Sequence, residues 1–431
     1  MTKLMCLMPL YNKAETLPRA IESVLMQITD FEFKLLIIDD CSSDNSYSIA
    51  CSYQDKYPNI ISVIRNSTNQ RLLKTIIKAY SCLKEIDYFC VLDPDDYYTY
   101  KHKFHNAVLF LDNNESYSVY MSNVIVEYQD HREKMYTGLE SSVDFDFYDY
   151  FNGEGIFIQT SGCIFRNIYF FDHVDNDFLS ATESEFKECF RADGFRLPWH
   201  LKKGKTHFVN HIESCYVYNE NGIWSSLKKI DQMLFNTEMF CALSVFFLED
   251  KNFFIVKAKD KLKKVIFFDT INLFNNYPSR LIKYEKVIRY LYPSFNHPED
   301  AYGLCRLVIP DAIDFVDKTL NFILSNNINN IYLYCANDLS LFFYDILFKE
   351  NISVSGIFDS SKKSIRNDID KSINKLVCED DIKDNSIIII CSNKYYSEIV
   401  EEVKSIVSSK KRIYTLSFSD GATYSLPKIL S

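Results

Sequence analysis

The first hundred residues switch repeatedly between two hydrophobic periods. LMCLMPL (4–10) is a short apolar run closed by Pro9, and LPRAIESVLMQ (17–27) places Leu17, Ile21, Val24 and Leu25 on one helical face. FKLLIIDD (33–40) stays apolar until its terminal acids, as a strand covered on both faces does. SDNSYSIACSYQDKY (43–57) opens on residues that cap helices. ISVIRN (61–66) gives a third strand, residues 70–84 a helix, and YFCVLD (88–93) a fourth strand. Strict alternation predicts a parallel sheet with crossover helices. Ligands of such sheets collect outside the carboxyl ends of the strands. Three of these strands end in polar residues: Tyr11 and Asn12, Asp39 and Asp40, and Asp93, Asp95 and Asp96.

The pattern is mixed over residues 100–225. YSVYMSNVIVEY (117–128) and FIQTSGCIFR (157–166) read as strands, residues 183–203 as a helix interrupted at Pro198, and THFVN and SCYVYN as two short extended pieces. Residues 226–325 read as mainly helical. Alternation restarts at NNIYLYCAND (329–338) and continues through LSLFFYDILFKEN, ISVSGIFDSS, SIIIICSN and YYSEIVEEVKSIV to RIYTLS (412–417). The expected organisation is an α/β domain over 1–226, a helical region over 227–325 and a small doubly wound domain over 326–431.

Length supports that division, because 431 residues exceed what one ordinary core holds. A net charge of −10 argues against a nucleic-acid partner, which would select a basic face; LKKGK (201–205) reads as a solvated basic turn. The 13 cysteines include no CxxC pair, which points to reduced thiols rather than a disulfide framework or a zinc site. MFCALSVFFL (239–248) is the longest apolar candidate and falls short of the roughly 18 residues of a membrane span. The opening MTKLMCLMPLYNK lacks the features of a signal peptide. A cytoplasmic chain is expected, with peripheral contact at the inner membrane face left open. The 34 Phe and 30 Tyr fill cores for the most part, and some could stack on ligand rings.

VLDPDDYY (91–98) crowds three carboxylates where a buried strand surfaces. Such groups repel one another and require a positive partner. Solvent in a turn is one solution. A hard divalent cation, Mn²⁺ or Mg²⁺, is the other, since it takes oxygen ligands and leaves positions for phosphates. It would stabilise the charge on a departing diphosphate.

Taken together, MPLYNKAETLPRAIESVLMQ, LIIDDCSSDNS and FCVLDPDDYY resemble the motifs of the family 2 glycosyltransferases with the GT-A fold, in order and spacing, over roughly residues 4–225. The resemblance implies that Pro9, Tyr11 and Asn12 lie against the nucleotide, that Asp39 or Asp40 bonds the base, that Asp93 sits near the ribose, and that Asp95 or Asp96 binds the metal. It also implies an inverting reaction with a general base that takes a proton from the acceptor hydroxyl. In RADGFRLPWHLKKGKTHF, Asp193 stands eleven residues before Gly204 and is the candidate; Ala192 occupies the place of the usual neighbouring Glu. Glu183 and Glu185, in ATESEF, compete for the role. Trp199, His200 and Trp224 are candidate acceptor or diphosphate contacts.

Departures from the family pattern are specific. In NQRLLKTIIKA (69–79), Arg71 replaces a glycine and Ile76 the usual arginine, and Cys41 replaces the turn glycine after Asp40. Arg71 or Lys74 could take over the lost contact, and the donor base is left open. The C-terminal segment resembles the small Rossmann-like units attached to bacterial sugar-modifying enzymes. Its first turn, Cys335–Ala336–Asn337–Asp338, has none of the glycines that let a diphosphate approach backbone, so a scaffold, homo-oligomer or partner-docking role is expected there. Asp359 stands where a ribose-binding acid would.

The implied activity is transfer of a sugar from a nucleotide-diphosphate donor, expected to be a UDP-sugar, to a hydroxyl of a glycan or lipid-linked glycan in bacterial surface-polysaccharide synthesis. A catalytically inactive assembly scaffold is one alternative. A nucleotidyltransferase is the other, and PLYNKAETLP lacks the glycine-rich loop it would need.

Overall fold

The structure is a computed structural model that describes residues 2–168, 185–186, 192–220, 222, 224–277, 279–294, 300–335, 338–359, 373–374, 381–391, 396–406, 413–417 and 428–429. The chain divides into two compact units, Met1–Leu227 and Lys228–Ser431.

The first unit is built on a mixed sheet. Its strands are β1 (Thr2–Leu10), β2 (Glu32–Asp39), β3 (Ile61–Arg65), β4 (Tyr88–Val91), β5 (Tyr97–Tyr98), β6 (Tyr117–Glu127), β7 (Arg132–Lys134), β8 (Ser142–Phe145), β9 (Cys163–Arg166) and β10 (Lys205–Val217). The order is β3-β2-β1-β4-β9-β6-β10-β5, with β7 on β6 and β8 on β10. The first four strands are parallel, and α1 (Leu17–Leu25), α2 (Ser46–Lys56) and α3 (Arg71–Tyr80) make the crossovers. Leu4, Cys6, Met8 and Leu10 of β1 join Leu35 and Ile37 of β2 and Leu17, Ile21 and Val24 of α1 in one core. This is the two-sided burial that the unbroken apolar runs foretell.

Several details differ from the sequence reading. Pro9 does not stop β1, which runs to Leu10. The pairing of β1 with β4 ends at Leu7, so the missing proline N–H falls where only one neighbour remains, as strand prolines require. Residues 157–162 are not strand; Thr160–Gly162 forms a 3₁₀ turn leading into β9. THFVN and SCYVYN belong to one strand, β10, which follows β6 through register shifts between Val209 and Ile212 and between Ile212 and Ser214.

After α4 (Lys103–Asn113) and α5 (Phe147–Asn152), helix α6 (Ala192–Lys203) continues through Pro198 rather than breaking there. Gly204 follows because a Cβ at that position would lie 2.8 Å from the Ser118 nitrogen and 2.9 Å from the Ser116 oxygen. Beneath the sheet edge, Lys103 of α4 is fully buried and its Nζ donates to Ser122 Oγ and the Gly162 carbonyl, both at 2.8 Å, and to Glu213 at 3.4 Å. A buried ammonium needs this complete a shell, and the shell ties β6, the turn before β9 and β10 to one helix.

In the second unit, α7 (Lys229–Phe246) packs along α8 (Lys251–Phe268), followed by α9 (Thr270–Asn276), α10 (Glu285–Leu291), α11 (Ala301–Val308) and α12 (Pro310–Ser325). A second sheet comprises β11 (Asn330–Tyr334), β12 (Val354–Phe358), β13 (Ile373–Asn374), β14 (Ser386–Ile390), β15 (Ile413–Ser417) and β16 (Lys428–Ile429), in the order β13-β12-β11-β14-β15-β16. Every pairing is parallel except β15 with β16. Helices α13 (Asp338–Lys349) and α14 (Tyr396–Ile406) are the described crossovers. This is the Rossmann-like arrangement expected of the segment.

Candidate active site

β1 lies between β2 and β4, so the three polar strand ends are neighbours on one edge. The Asp40 N–H bonds the Leu10 carbonyl at 2.7 Å and the Leu92 N–H bonds the Leu7 carbonyl at 3.0 Å, which carries the sheet spacing into the turns.

The turns after β1 and β2 are laced together. Asn12 has φ 49°, and its Oδ1 accepts from the Ser43 N–H at 2.8 Å while its own N–H donates to Ser42 Oγ at 3.0 Å. The Lys13 N–H reaches Ser46 Oγ at 2.8 Å and the Ala14 N–H reaches Asp44 at 3.1 Å. Asn12, expected against the nucleotide, also holds a loop through its amide oxygen. Pro9 is buried in its strand. Tyr11 is 47% exposed, so its ring is open on the shelf the clasp forms.

Asp39 and Asp40 are both buried. Asp39 pairs with Arg65 at 3.0 Å and accepts from the Ser42 N–H at 3.2 Å. Asp40 Oδ1 accepts from Asn66 Nδ2 and from the Gln70 N–H, both at 2.8 Å. Arg71 and Cys41, which stand where the family pattern has glycines, have φ 64° and 61°. The backbone therefore keeps a left-handed geometry that glycine adopts without strain.

The Asp96 N–H closes on the Asp93 carbonyl at 3.0 Å and turns the chain around Pro94. The acids then diverge. Asp95 pairs with Lys13 across the edge. Asp96, read with Asp95 as a metal ligand, points inward: it is 2% exposed, and its carboxylate accepts from the Val217 N–H at 3.0 Å and from Gln159 at 3.4 Å. Burial drives its pKa well above the carboxylate range, and repulsion from Asp93 and Asp95 adds to this. The same three acids, after burial, push the Tyr216 hydroxyl up to about 12. Asp93 and Asp95, both only partly buried, are the acids of the turn left within reach of a ligand. Among the described residues no group of three or more His, Cys, Asp and Glu side chains could enclose a metal. The oxygen-only donor set fits a hard divalent cation that completes its shell from phosphates and water.

Asp193 lies in α6, with its side chain outside the described residues, as Glu183 is altogether. Glu185 is exposed in a turn. Trp199 is half-buried on α6, and Trp224 is exposed in a turn. His200 turns into the core instead of toward a diphosphate. Its ring lies 4.7 Å from Phe165 and 5.7 Å from Phe89, and its nitrogens face the Arg196 and Arg166 carbonyls at 2.9 and 3.1 Å. Burial holds its pKa down to about 3, against the pull of the two carbonyls.

Sequence reasoning missed Lys13, Gln159 and Val217, which surround the acid turn. Lys13 is legible as a cation two residues after Tyr11. Gln159 and Val217 carry no local signal, because only the sheet brings them to Asp96.

Residues 5–174 match the family Glycosyl transferase family 2, so the first unit carries a domain of that family. A dTDP-rhamnosyl transferase of Shigella flexneri, RfbG, is 31% identical over 150 residues, which cover 33% of this chain and 49% of that protein. The putative glycosyltransferase EpsE of Bacillus subtilis is 32% identical over 126 residues, covering 29% and 44%. The matched region spans about half the length of these curated relatives. Among solved structures, S. aureus TarS 1–349 in complex with UDP-GlcNAc superposes with a TM-score of 0.50 at 16% identity, covering 81% of this chain and 92% of that one; the likeness is one of fold.

Proposed function

We propose that the chain is an inverting glycosyltransferase that moves a sugar from a nucleotide-diphosphate donor to a hydroxyl of a bacterial surface glycan or its lipid-linked precursor. The observation that carries this is the convergence of Tyr11, Asp39–Asp40 and Asp93–Asp95 on adjacent strand ends within the family-matched region. Tyr11 offers a ring to the base. Asp39 and Asp40 fix the shelf beneath it and present the loop of Gln70 and Arg71 at its border. Asp95, with Asp93, would hold Mn²⁺ or Mg²⁺, which when bound neutralises charge on the departing diphosphate. Lys13 is the cation that balances Asp95 otherwise. Asp193 on α6 is the proposed base, taking the acceptor proton as its oxygen attacks the anomeric carbon from the face opposite the leaving group. No described helix is long and apolar enough to cross a membrane, and we place the reaction at the inner membrane face by the nature of the acceptor.

UDP and dTDP are the leading donor bases, since the relatives' names include both kinds. Thermal melts with UDP, dTDP, GDP and CDP, with and without Mn²⁺, test the reading. Ligand at 100-fold its Kd stabilises by about 2.7 kcal/mol, or roughly 5–10 °C for a unit of this size. One nucleotide should give that shift with metal, and Asp95→Ala should abolish it. A wild type that responds to none of them refutes the donor site.

A further inference from the structure

A groove of about 650 Å³ opens at the carboxyl ends of β6 and β10, lined in part by Glu127, Tyr128, His131, Arg132, Val217 and Tyr218. Neither the nucleotide shelf nor the core uses it. Two contacts tie it to the acid turn: the Val217 N–H donates to Asp96 at 3.0 Å, and the hydroxyl of Tyr97, the next residue, donates to Glu127 at 3.0 Å. The groove wall therefore adjoins the acid turn.

Its walls combine flat rings with fixed polar groups. Tyr128 and His131 stack with centroids 4.6 Å apart and planes 10° from parallel, and Tyr218 lies 5.1 Å from Tyr128. Tyr218 is 37% exposed and His131 is exposed, which leaves an outer ring face on each side of the stack. Glu127 is held by Arg19 at 3.1 Å and by Arg132, and Asp130 holds His131 at 2.7 Å. Val217 is the one aliphatic side chain in the lining, too little for an apolar helix or lipid chain. A pyranose has both complementary surfaces, a C–H face for aromatic rings and hydroxyls for carboxylate and guanidinium. The volume falls within the range of small-ligand sites and suits one or two sugar rings.

We propose that this groove binds the acceptor glycan, with a sugar ring against Tyr218 or His131 and its hydroxyls on Glu127 and Arg132. The proposal rests on the glycosyltransferase reading and names a site for its acceptor. The test is saturation-transfer NMR on the full chain with methyl glycosides of disaccharides built from rhamnose, glucose, galactose and N-acetylglucosamine. At least one should receive saturation from the wild type. Tyr218→Ala should weaken that binding roughly tenfold, Tyr218→Phe should retain it, and both variants should keep the wild-type nucleotide melt shift. His131→Ala provides a second exposed site should Tyr218→Ala lower the yield of folded protein. Equal saturation in the wild type and both alanine variants overturns the proposal. So does a wild type that responds to nucleotide and saturates none of the disaccharides. Groove-dependent saturation in a protein with no nucleotide response would uphold the sugar site and sink the donor reading instead.

Discussion

The two sheets of this protein follow one winding rule and end differently. At the first, five acids stand on the carboxyl edge, and side chains from several loops cross-brace them: Asn12 to Ser43, Asp39 to Arg65, Asp40 to Asn66, Lys13 to Asp95. At the second, the edge is closed by backbone, with the Cys335 N–H on the Phe358 carbonyl and the Cys391 N–H on the Tyr334 carbonyl, both at 2.9 Å. The Cys391 thiol is pushed well up by burial, then by Cys335, so it carries no charge at neutral pH. One edge concentrates charge that needs a cation, and the described turns of the other are closed by backbone around an uncharged thiol. A shared fold therefore does not imply a shared site.

The largest expected difference concerns the acids. Asp95→Ala should lower transfer about a hundredfold or more, as loss of an electrostatic contact to a leaving group does, whereas Asp359→Ala at the second edge should leave activity and nucleotide response unchanged. Activity assays on both variants decide this, and a loss with Asp359→Ala would erase the contrast. Next in size is the support under the first edge. Glu213→Ala strands the Lys103 ammonium, fully buried in the unit, and breaking such a pair costs about 3–5 kcal/mol. Urea melts should show that loss in the first unit alone.

The parallel halves of both sheets were legible because unbroken apolar runs and capping residues are local signals, and the edge followed from topology. What stayed illegible depends on partners far along the chain. Asp96 looks like Asp95 in the string DPDD, yet its direction is set by the Val217 N–H, 121 residues away. His200 follows a tryptophan in a polar helix, yet the faces of Phe89 and Phe165 claim its ring. β10 read as two pieces because its register shifts interrupt the alternation that marks a strand. The groove of Tyr128, His131 and Tyr218 gave no signal, since a hairpin and a distant strand assemble it.

His200 sharpens the comparison through pH. In the unfolded chain it titrates near 6.5, and in the fold only at about 3. A depressed folded value means that its contribution is complete above about pH 6.5 and is lost as pH falls toward 3. The slope is about 1.4 kcal/mol per pH unit in that interval. Between roughly pH 6 and 5 the raised Asp96 carboxyl adds a dependence of opposite sign, so the His200 contribution is read as the difference from His200→Asn, which should gain on the wild type as pH falls. An unchanged slope in the variant would mean that the ring protonates inside the fold.

The smallest effects test what the two edges share. Cys41, Arg71 and Cys335 occupy left-handed backbone at φ 61°, 64° and 73°, each where the corresponding pattern calls for glycine. A side chain there costs about 1–2 kcal/mol, and glycine returns part of this through the freedom of the unfolded chain. Cys41→Gly and Cys335→Gly should each stabilise by a few tenths to about 1 kcal/mol in denaturant melts. Cys335→Gly should do so without creating a nucleotide response. Arg71→Gly is the discriminating variant. If Arg71 only fills a strained turn, it should gain stability like the others and bind nucleotide unchanged. If its side chain has replaced the family's lost arginine, the gain in stability should come with weaker nucleotide binding, and the strain at the first edge would then be functional where that at the second is not.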